Sequence, residues 1–578
     1  MAKTFLEVHP NCSMLIIDSA ASVGGPWAKE RLYPGLKTSN LLGTYEFSDF
    51  PMTPEKFGVK PGRHIPGEAV HEYLVQFCEH FDLSSRVRLG QKLESAELLG
   101  NGEWLLKVTP AQRMQLQPPI CDILANRLVI AAGLTSEPLM PAFKGADMFE
   151  GDIFHAKELR ERAQDLGKAE TVVVVGGNKS AWDTCYLLAN KGSRVQMVVR
   201  PSGGGPSWLW PVFFSPLKIS IQRLASTRVS TWFDLCIWSE RTGPTGWLRC
   251  ALHGTWLGRK IVARYWQMIE YSAHWAFLYD DHPETQKFKP WVSPFWMGNS
   301  LSIHNYDSLW FDLVRAGKIK IQIADVERLS EKAVYLSNRA NLATDAIVCC
   351  TGWDAKPPIN FLPPAIDSAL GLEGPSPDGL NLLNQARTEL FTKLPAICYQ
   401  PKRSLPPGSK QSELEIPTLH VNAVHRFYLY RFMVPSNDRL LCQRDIAFIG
   451  AHIALHATMI AQLQALWITA FFTNELANLK PETLENVRVH YETVLHNEYT
   501  RVRHPHCAGG AGERCPDLAF DCLAYMDLLA DDLGLEKYRK YRTGGILSEI
   551  FHRYTPHDYA GMVRAWMTMT RKQDVIPL

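Results

Sequence analysis

The chain has 578 residues, of which 46% are hydrophobic and 21% charged, which is typical of several packed globular units and excludes a largely disordered protein. Its formal net charge of +2 predicts no nucleic-acid partner, and no apolar run approaches the roughly 20 residues that span a bilayer. The thirteen cysteines include no C-x-x-C pair, so the sequence predicts a reduced setting, which we take to be the cytoplasm.

The N-terminal segment predicts part of a dinucleotide-binding unit. Ser13–Asp18 is an apolar run that ends in an acid, and Gly24, Gly25 and Trp27 follow it. In such units an acid at the end of the second strand binds ribose, about 20 residues after the glycine-rich phosphate loop. Counting back from Asp18 puts that loop before residue 1, so we expect a unit that lacks its first strand and phosphate loop. The alternative is that Asp18 only caps a turn.

Turn-rich and aromatic segments follow at 33–40 and 43–52. Helical spacing of apolar residues then predicts a helix over Pro66–Phe81. Leu128–Ala132 predicts a strand that runs into Gly133. At that glycine, a close approach to a cofactor and a plain turn are equally good interpretations.

A strand–turn–helix–strand unit spans Thr171–Arg200. Its four consecutive valines predict a strand buried on both faces, and Gly176 and Gly177 end that strand. A glycine turn at a helix N-terminus favours phosphate, and Arg200 after the next strand suits the 2′-phosphate of NADP. Asn178 replaces the second glycine of G-x-G-x-x-G, so an ordinary buried α/β unit without a ligand remains the alternative.

Residues 206–300 hold ten of the seventeen tryptophans, with Arg249, Arg259, Lys260 and Arg264 between them. The pattern predicts an inserted, mostly helical subdomain. An aromatic core is the preferred interpretation, and contact with a membrane surface is the alternative. Either way, an apolar lid suits an apolar substrate and helps to exclude water.

The remaining chain predicts two further buried strands, an apolar helix and a helical tail. These are Asp345–Trp353, which ends at Thr351-Gly352, then Asp445–Gly450, the helix His456–Leu476 and residues 481–578. The histidines and cysteines at 504–515 fit no zinc spacing, so no metal site is predicted.

Three motifs connect these segments to a known family. Phe149–His155 reads F-x-G-x-x-x-H, Gly176–Asp183 reads G-G-x-K-S-A-x-D, and Asp345–Trp353 ends in T-G-W. They resemble the fingerprint of the flavin-containing monooxygenases and their Baeyer–Villiger relatives, in a fungal-type branch. The resemblance implies an α/β fold with two dinucleotide-binding, Rossmann-like domains. The FAD-binding domain would be discontinuous and N-terminally truncated, and a helical Trp-rich insertion and a helical C-terminal tail would complete the chain.

The resemblance also implies domain ranges and site residues. The FAD domain would comprise 1–165 and 356–480, the NADPH domain 166–205 and 301–355, the insertion 206–300 and the extension 481–578. The residues implied to hold FAD are Asp18, Gly24, Gly25, Trp27 and Thr38. Those implied to hold NADPH are Gly176, Gly177, Lys179, Ser180 and Arg200. His155 would lie between the two units, and Gly133, Gly352 and Gly450 would let the chain pass close to a cofactor.

The implied chemistry is that of a monooxygenase. NADPH would reduce FAD, and a C4a-(hydro)peroxyflavin formed with O2 would transfer one oxygen to a small apolar organic substrate, in secondary metabolism. The catalytic candidates are Ser39 and Asn40, because the family places an Asn directly after the Thr that Thr38 matches, and here Ser39 comes first. One alternative is a non-catalytic NADPH-binding or interaction protein. A flavin disulfide reductase is another, but the sequence lacks the redox cysteine pair that it requires.

Overall fold

The structure is a computed structural model that describes residues 1–111, 121–201, 203–214, 219–239, 246–298, 301–354, 356–375, 377–398, 427–480, 485–504 and 515–573. His506 and Cys507, in the stretch tested above for a zinc pattern, lie outside these ranges.

Helices make up the insertion and the C-terminal part and flank the sheets elsewhere. They are α1 Ala2–Val8, α2 Pro54–Phe57, α3 Gly67–His80, α4 Leu159–Leu166, α5 Lys179–Lys191, α6 Ile221–Ala225, α7 Arg228–Thr231, α8 Gly246–Gly254, α9 Trp256–Phe277, α10 Pro283–Gln286, α11 Trp310–Arg315, α12 Ile366–Ala369, α13 Pro377–Lys393, α14 Asp438–Gln443, α15 Ala457–Phe472, α16 Asn486–Arg503, α17 Cys522–Asp532, α18 Tyr541–Phe551 and α19 Met562–Gln573.

Most strands are short. They are β1 Ile16–Ile17, β2 Lys37–Leu41, β3 His64–Pro66, β4 Val87–Arg88, β5 Gln91–Leu98, β6 Trp104–Pro110, β7 Cys121–Ala125, β8 Leu128–Ile130, β9 Glu137–Pro138, β10 Asp152–His155, β11 Thr171–Val175, β12 Arg194–Val199, β13 Trp208–Trp210, β14 Phe213–Phe214, β15 Ile219–Ser220, β16 Leu301–Ile303, β17 Ile319–Ile323, β18 Val326–Ser330, β19 Ala333–Leu336, β20 Asn341–Ala343, β21 Ala346–Cys349, β22 Trp353–Asp354, β23 Asn360–Leu362, β24 Leu429–Tyr430, β25 Val434–Pro435, β26 Ile446–Phe448, β27 Ile453–Ala454 and β28 Asp517–Leu518.

A five-stranded, all-parallel sheet contains the unit predicted at 171–200. Its order is β10-β21-β11-β12-β17. The valines of β11 alternate between two hydrophobic clusters, one on each face of the sheet, which confirms a strand buried on both sides. Because Val175 pairs with Cys349, the turn after β11 lies beside the turn after β21. The carboxyl ends of both strands therefore lie at the edge where such sheets bind nucleotides.

The second dinucleotide-binding unit is assembled from distant parts of the chain. β1 pairs in parallel with β4, and β8 pairs in parallel with β26. Asp18, Gly133 and Gly450 follow β1, β8 and β26, so these three predicted cofactor residues come after the carboxyl ends of parallel strands. Because β8 and β26 lie more than 300 residues apart in sequence, this unit is discontinuous, and the predicted α/β class is confirmed.

The helix α15 forms the centre of the largest helical core. Nearly all of its residues are buried, because it packs between α1 and α17. This explains the uniformly apolar sequence, which predicted a helix slightly longer at its C-terminal end.

The Trp-rich insertion contains a buried group and an exposed group of tryptophans. Trp208, Trp210, Trp266, Trp291 and Trp296 lie in the core that the insertion shares with the five-stranded sheet. Trp247, Trp256 and Trp275 are exposed, and all three lie on α8 and α9. The aromatic-core interpretation therefore accounts for the buried tryptophans only.

One structural observation, the position of β10, concerns the predicted domain ranges. β10 belongs to the five-stranded sheet, although it precedes the predicted boundary at 165. The six ranges themselves stay a prediction. None of the helices in the described part of the chain has the length and apolar character needed to cross a membrane.

Candidate functional site

The glycine turn after β11 meets two other backbone segments at close range. A Cβ added to Gly176 would stand 2.4 Å from the carbonyl oxygen of Cys350, and one on Gly177 would stand 2.6 Å from that of Gly205. Gly176 also has a φ of +147°. Both glycines are therefore required by packing, whatever they bind.

The helix that follows this turn has an open N-terminus. Asn178 is the N-cap of α5 and makes no side-chain cap hydrogen bond, and the first turn has no acid. Its first N–H groups and the helix dipole thus favour an anion. Ser180 in the first turn and Arg200 after β12 are both exposed, as two residues that reach an NADPH phosphate would be.

Lys179, in contrast, is held within the protein. Its Nζ forms an ion pair with Asp183 and donates to Asn305 Oδ1 over 3.0 Å and to the Tyr306 hydroxyl over 3.3 Å. Asp183 also accepts from the hydroxyls of Tyr306 and Tyr33, over 2.8 and 3.1 Å. Burial and the Asp183 carboxylate raise the pKa of both tyrosines well above the usual value, so they remain donors.

Asn305 connects this cluster to the segment Thr38–Thr44, which holds the catalytic candidates and begins in β2, where the pairing with β3 shifts register; we call this segment the loop. The Nδ2 of Asn305 donates to the carbonyl oxygens of Lys37 and Thr38, over 3.0 and 3.3 Å. The helix α5 and β2 are therefore linked through Lys179 and Asn305. No motif pointed to Asn305, because its role comes from contacts with residues far away in sequence.

The predicted residues Thr38, Ser39 and Asn40 are each fixed by different partners. Thr38 is buried; its hydroxyl donates to Asn40 O over 2.6 Å and accepts from Ile65 N over 3.1 Å. The Asn40 amide donates to Leu455 O over 3.3 Å, directly before α15. Asn40 therefore ties this loop to the C-terminal half of the FAD unit.

Gln222 is a second residue that sequence reasoning missed. It lies on α6 in the insertion, is only 2% exposed, and bonds three groups of the same loop. Its Nε2 donates to Ser39 O over 2.9 Å, and its Oε1 accepts from Leu41 N and Thr44 Oγ1, each over 3.2 Å. The insertion is thus part of the wall around Ser39 and Asn40.

His64 and His456 lie next to this loop or next to its partner Leu455. His456 is the N-cap of α15, next to Leu455, and neither of its buried ring nitrogens has a partner in the structure. Burial lowers its pKa to about 4 and that of His452 to about 4, so both rings are neutral. His64 lies against the backbone of Thr38 and Asn40, and burial lowers its pKa too. Unpartnered neutral imidazole nitrogens fit a bound group, such as a flavin, that has its own donors and acceptors.

The glycines predicted for FAD have the backbone geometry of a cradle. Gly24, Gly25, Gly133 and Gly450 all have positive φ values, and a Cβ added to any of the last three would meet no atom within 4 Å. The backbone is therefore open on that side to a ligand. Near Gly25, Trp27 donates its indole N–H to the Tyr45 hydroxyl over 3.0 Å. Asp18 accepts from Ala20 N over 2.9 Å, as a turn cap does.

His155 and Gly352 lie where the two units meet. His155 is buried, its Nδ1 accepts from Lys157 N over 3.1 Å, and its ring lies edge-on to Trp353 at 4.6 Å. Burial lowers its pKa. Gly352 has a φ of +91° and accepts at its carbonyl from Leu139 N over 3.0 Å. Both residues pack the crossing between the sheets, and their roles toward a cofactor stay predictions.

Residues 48–222 match the family described as Pyridine nucleotide-disulphide oxidoreductase. The chain is 31% identical to the FAD-dependent monooxygenase rstn6 of Aspergillus nomiae and 32% identical to the FAD-dependent monooxygenase resA of Aspergillus sclerotiorum. Each comparison covers 99% of this chain and 97% of the relative. An FAD-dependent monooxygenase of Pyrenophora dematioidea is 33% identical over 93% of this chain and 96% of its own length.

Two solved structures have a similar fold. The open crystal structure of cyclohexanone monooxygenase matches 92% of this chain and 95% of its own, at a TM-score of 0.54 and 15% identity. Oxidized steroid monooxygenase bound to NADP matches 92% and 94%, at the same TM-score and identity. Both carry the arrangement of units seen here.

Proposed function

The chain belongs to the FAD-dependent monooxygenases, and we propose that it inserts one oxygen atom from O2 into a small apolar organic substrate. It is a flavin-dependent oxidoreductase with FAD and NADPH as cofactors. We further propose that it acts in the cytoplasm, in the biosynthesis of a secondary metabolite. Fungal relatives and buried free thiols such as Cys185 and Cys349 support this setting.

One observation carries the proposed reaction. The loop of Thr38, Ser39 and Asn40 is bonded at once to the NADPH unit through Asn305, to the start of α15 through Asn40 and to the insertion through Gln222. An oxygenating flavin needs a reductant, a substrate and a dry pocket to meet at one place. The bonds of this loop supply such a meeting point.

When bound, FAD takes a hydride from NADPH and activates O2, and the residues of the chain supply placement. In this proposal Arg200 and the N-terminus of α5 hold the phosphates of NADPH. Gln222 and Thr38 fix the backbone around Ser39. Asn40 holds the loop against the start of α15, so that water is kept out while oxygen is transferred.

An apolar pocket lies behind α6. Trp210, Trp266 and Phe520 line it with side chains of α6 itself, and Ser230, Thr231 and Asp234 are its polar residues. Since α6 also carries Gln222, the pocket and the loop share a wall. The pocket has a volume of about 20 Å³, which holds a water molecule and is too small for an organic substrate, so the proposed apolar substrate rests on the apolar character of the insertion as a whole.

A disulfide reductase fits the described residues poorly, despite the name of the matching family. Neither Cys349 nor Cys350 forms a disulfide. Cys349 and Cys350 are adjacent, but burial raises the pKa of each to about 12, which keeps the thiolate out of reach near neutral pH.

The proposal is tested with purified full-length protein. We expect a flavin absorption spectrum, NADPH oxidation, and one ¹⁸O atom in the product when apolar ketones and thioethers are supplied with ¹⁸O₂. Asn40→Ala should retain flavin yet release more H2O2 per NADPH, whereas the exposed control Asn384→Ala should match the wild type. Product oxygen that comes from water, or a colourless protein that binds NADPH, would contradict the proposal.

A further inference from the structure

The helix α9 is apolar on two opposite sides. One side, which includes Val262, Trp266, Ile269 and Phe277, packs into the core of the insertion. The other side is exposed: Trp256, Leu257, Ile261, Met268, Tyr271, Trp275 and the adjoining Leu278 are 46–69% exposed. Trp247 on α8 is equally exposed. Such a concentration of large apolar side chains on the surface marks an interaction site.

Six of these side chains and Arg264 form one continuous stripe, which we call the α9 stripe: residues 257, 261, 264, 268, 271, 275 and 278. Trp256 adjoins its N-terminal end. The steps of three and four residues place them on a single face of the helix. The helix is 22 residues long, so the stripe extends for about 33 Å at 1.5 Å per residue. It is therefore a line along the protein surface, long enough to lie flat on a much larger surface.

The exposed charges of α9 all have one sign. Arg264 lies within the stripe and Lys260 lies beside it, whereas Arg259 is exposed in the first turn on the side of the helix that Trp266 shares. The acids Asp280 and Asp281 come after the end of the stripe, and Asp280 is paired with Lys289. The ammonium of Lys260 lies 5.4 Å from the Trp256 ring. Glu270 is the one acid in residues 246–278, and it is half-buried, with a pKa that burial raises. Among the described residues, the exposed face of α8 and α9 is thus basic and aromatic.

We propose that the α9 stripe docks on the surface of an anionic lipid bilayer. A helix that is rich in Trp, Leu and basic residues lies in the interface plane, with its apolar side chains at the level of the acyl boundary. Tryptophan and tyrosine favour this level, where a ring is apolar at one edge and hydrated at the other. Lys260 and Arg264 pair with anionic headgroups.

A second copy of the chain fits the stripe less well. Two copies joined along it would bring Lys260 and Arg264 of both copies together, and neither copy offers an exposed acid on α8 or α9 to pair with them. An anionic bilayer complements both the charge and the apolar residues. Docking would also bring α9, whose Tyr265, Trp266 and Ile269 line the apolar pocket, against the lipid.

The test uses the full-length, flavin-loaded protein and vesicles of two compositions: phosphatidylcholine alone, and phosphatidylcholine with phosphatidylserine. We expect co-sedimentation with the anionic vesicles that weakens as salt is raised, together with quenching of tryptophan fluorescence by brominated lipid. Trp256→Ser/Trp275→Ser should lower the affinity by at least about tenfold, as expected when two interfacial aromatic anchors are removed. Flavin absorbance reports that each variant is folded.

Matched controls come from exposed side chains elsewhere. Leu124→Ser/Val487→Ser changes two exposed apolar residues away from α9, and it should bind like the wild type. Lys260→Gln/Arg264→Gln should lose the preference for anionic vesicles, whereas Lys60→Gln/Lys107→Gln should keep it. Absence of vesicle binding by the wild type would overturn the proposal. A dimer in light scattering that Trp256→Ser/Trp275→Ser dissolves would also overturn it, in favour of a second copy.

Discussion

Replacement of Gln222 by leucine tests whether the insertion shapes the catalytic loop. The change keeps the side chain's approximate volume but removes all three hydrogen bonds to the loop. Leu41 N and Ser39 O lose their partner, while the Thr44 hydroxyl keeps its bond to Leu41 O over 2.7 Å. An unpaired buried polar group costs about 1–3 kcal/mol. Because Ser39 is only half-buried, we expect Gln222→Leu to destabilise the protein by about 2–4 kcal/mol in total.

The assay has a stability arm and a function arm. Urea unfolding followed by flavin fluorescence measures the free energy, and H2O2 released per NADPH measures how tightly reduction is coupled to oxygenation. Gln322→Leu is the control, because the Gln322 amide donates only to the Gln196 side chain over 3.2 Å, in the sheet. We expect it to cost less than about 1 kcal/mol and to leave coupling unchanged. If Gln222→Leu behaved like this control in both arms, the role assigned to Gln222 would be wrong.

Three further predictions concern other parts of the molecule. His456 has a pKa near 4 when folded against an ordinary 6.5, so the unfolded chain takes up the proton first and stability falls as pH drops from 6.5 to 4. His456→Gln should remove about 3 kcal/mol of that loss, measured as the free energy of unfolding against pH. Arg200→Gln should raise the KM for NADPH by about 10- to 100-fold, since a charge-assisted bond contributes about 1.5–3 kcal/mol. The KM for NADH should stay unchanged. An equal rise in the KM for NADPH and for NADH would refute recognition of the 2′-phosphate. Arg503→Met leaves the Asp234 carboxylate buried beside Asp521 and should destabilise by about 3–5 kcal/mol in thermal unfolding, unless a drop in pH restores stability by protonating the pair.

The elements that sequence predicted well are those with a local signal. The valine run of β11 and the glycine turn after it predict a buried parallel strand from fewer than ten residues. The spacing of apolar residues likewise predicts the helices α3 and α15. Asn40 was a candidate by motif, but its partner Leu455 lies 415 residues away. Gln222 and Asn305 had no motif at all, because only the folded chain brings them to the loop. A pattern that is local in sequence cannot indicate a contact of this kind.

The tryptophans of the insertion show that composition alone also cannot predict which side chains are buried. Composition predicted an aromatic subdomain but not which rings would face outward. Trp266 and Trp275 lie on one helix, yet Trp266 is buried and Trp275 is exposed. The nine-residue interval between them turns the helix by about 180° at 3.6 residues per turn, so one ring enters the core and the other enters solvent. Counting tryptophans could not separate the two interpretations; helix phase relative to the core does.

The two interpretations of the glycine turn after β11, a packing role and a nucleotide-binding role, are compatible with each other. A buried α/β unit and a nucleotide-binding unit were alternatives there, yet Gly176 and Gly177 serve the first by letting Cys350 and Gly205 approach the turn. The same lack of a Cβ leaves the backbone N–H groups at the start of α5 accessible to phosphate. Substituting either glycine would therefore damage folding and binding together and would distinguish nothing. Arg200 is exposed at the end of β12, so we expect its replacement to change the binding of NADPH without disturbing the packing.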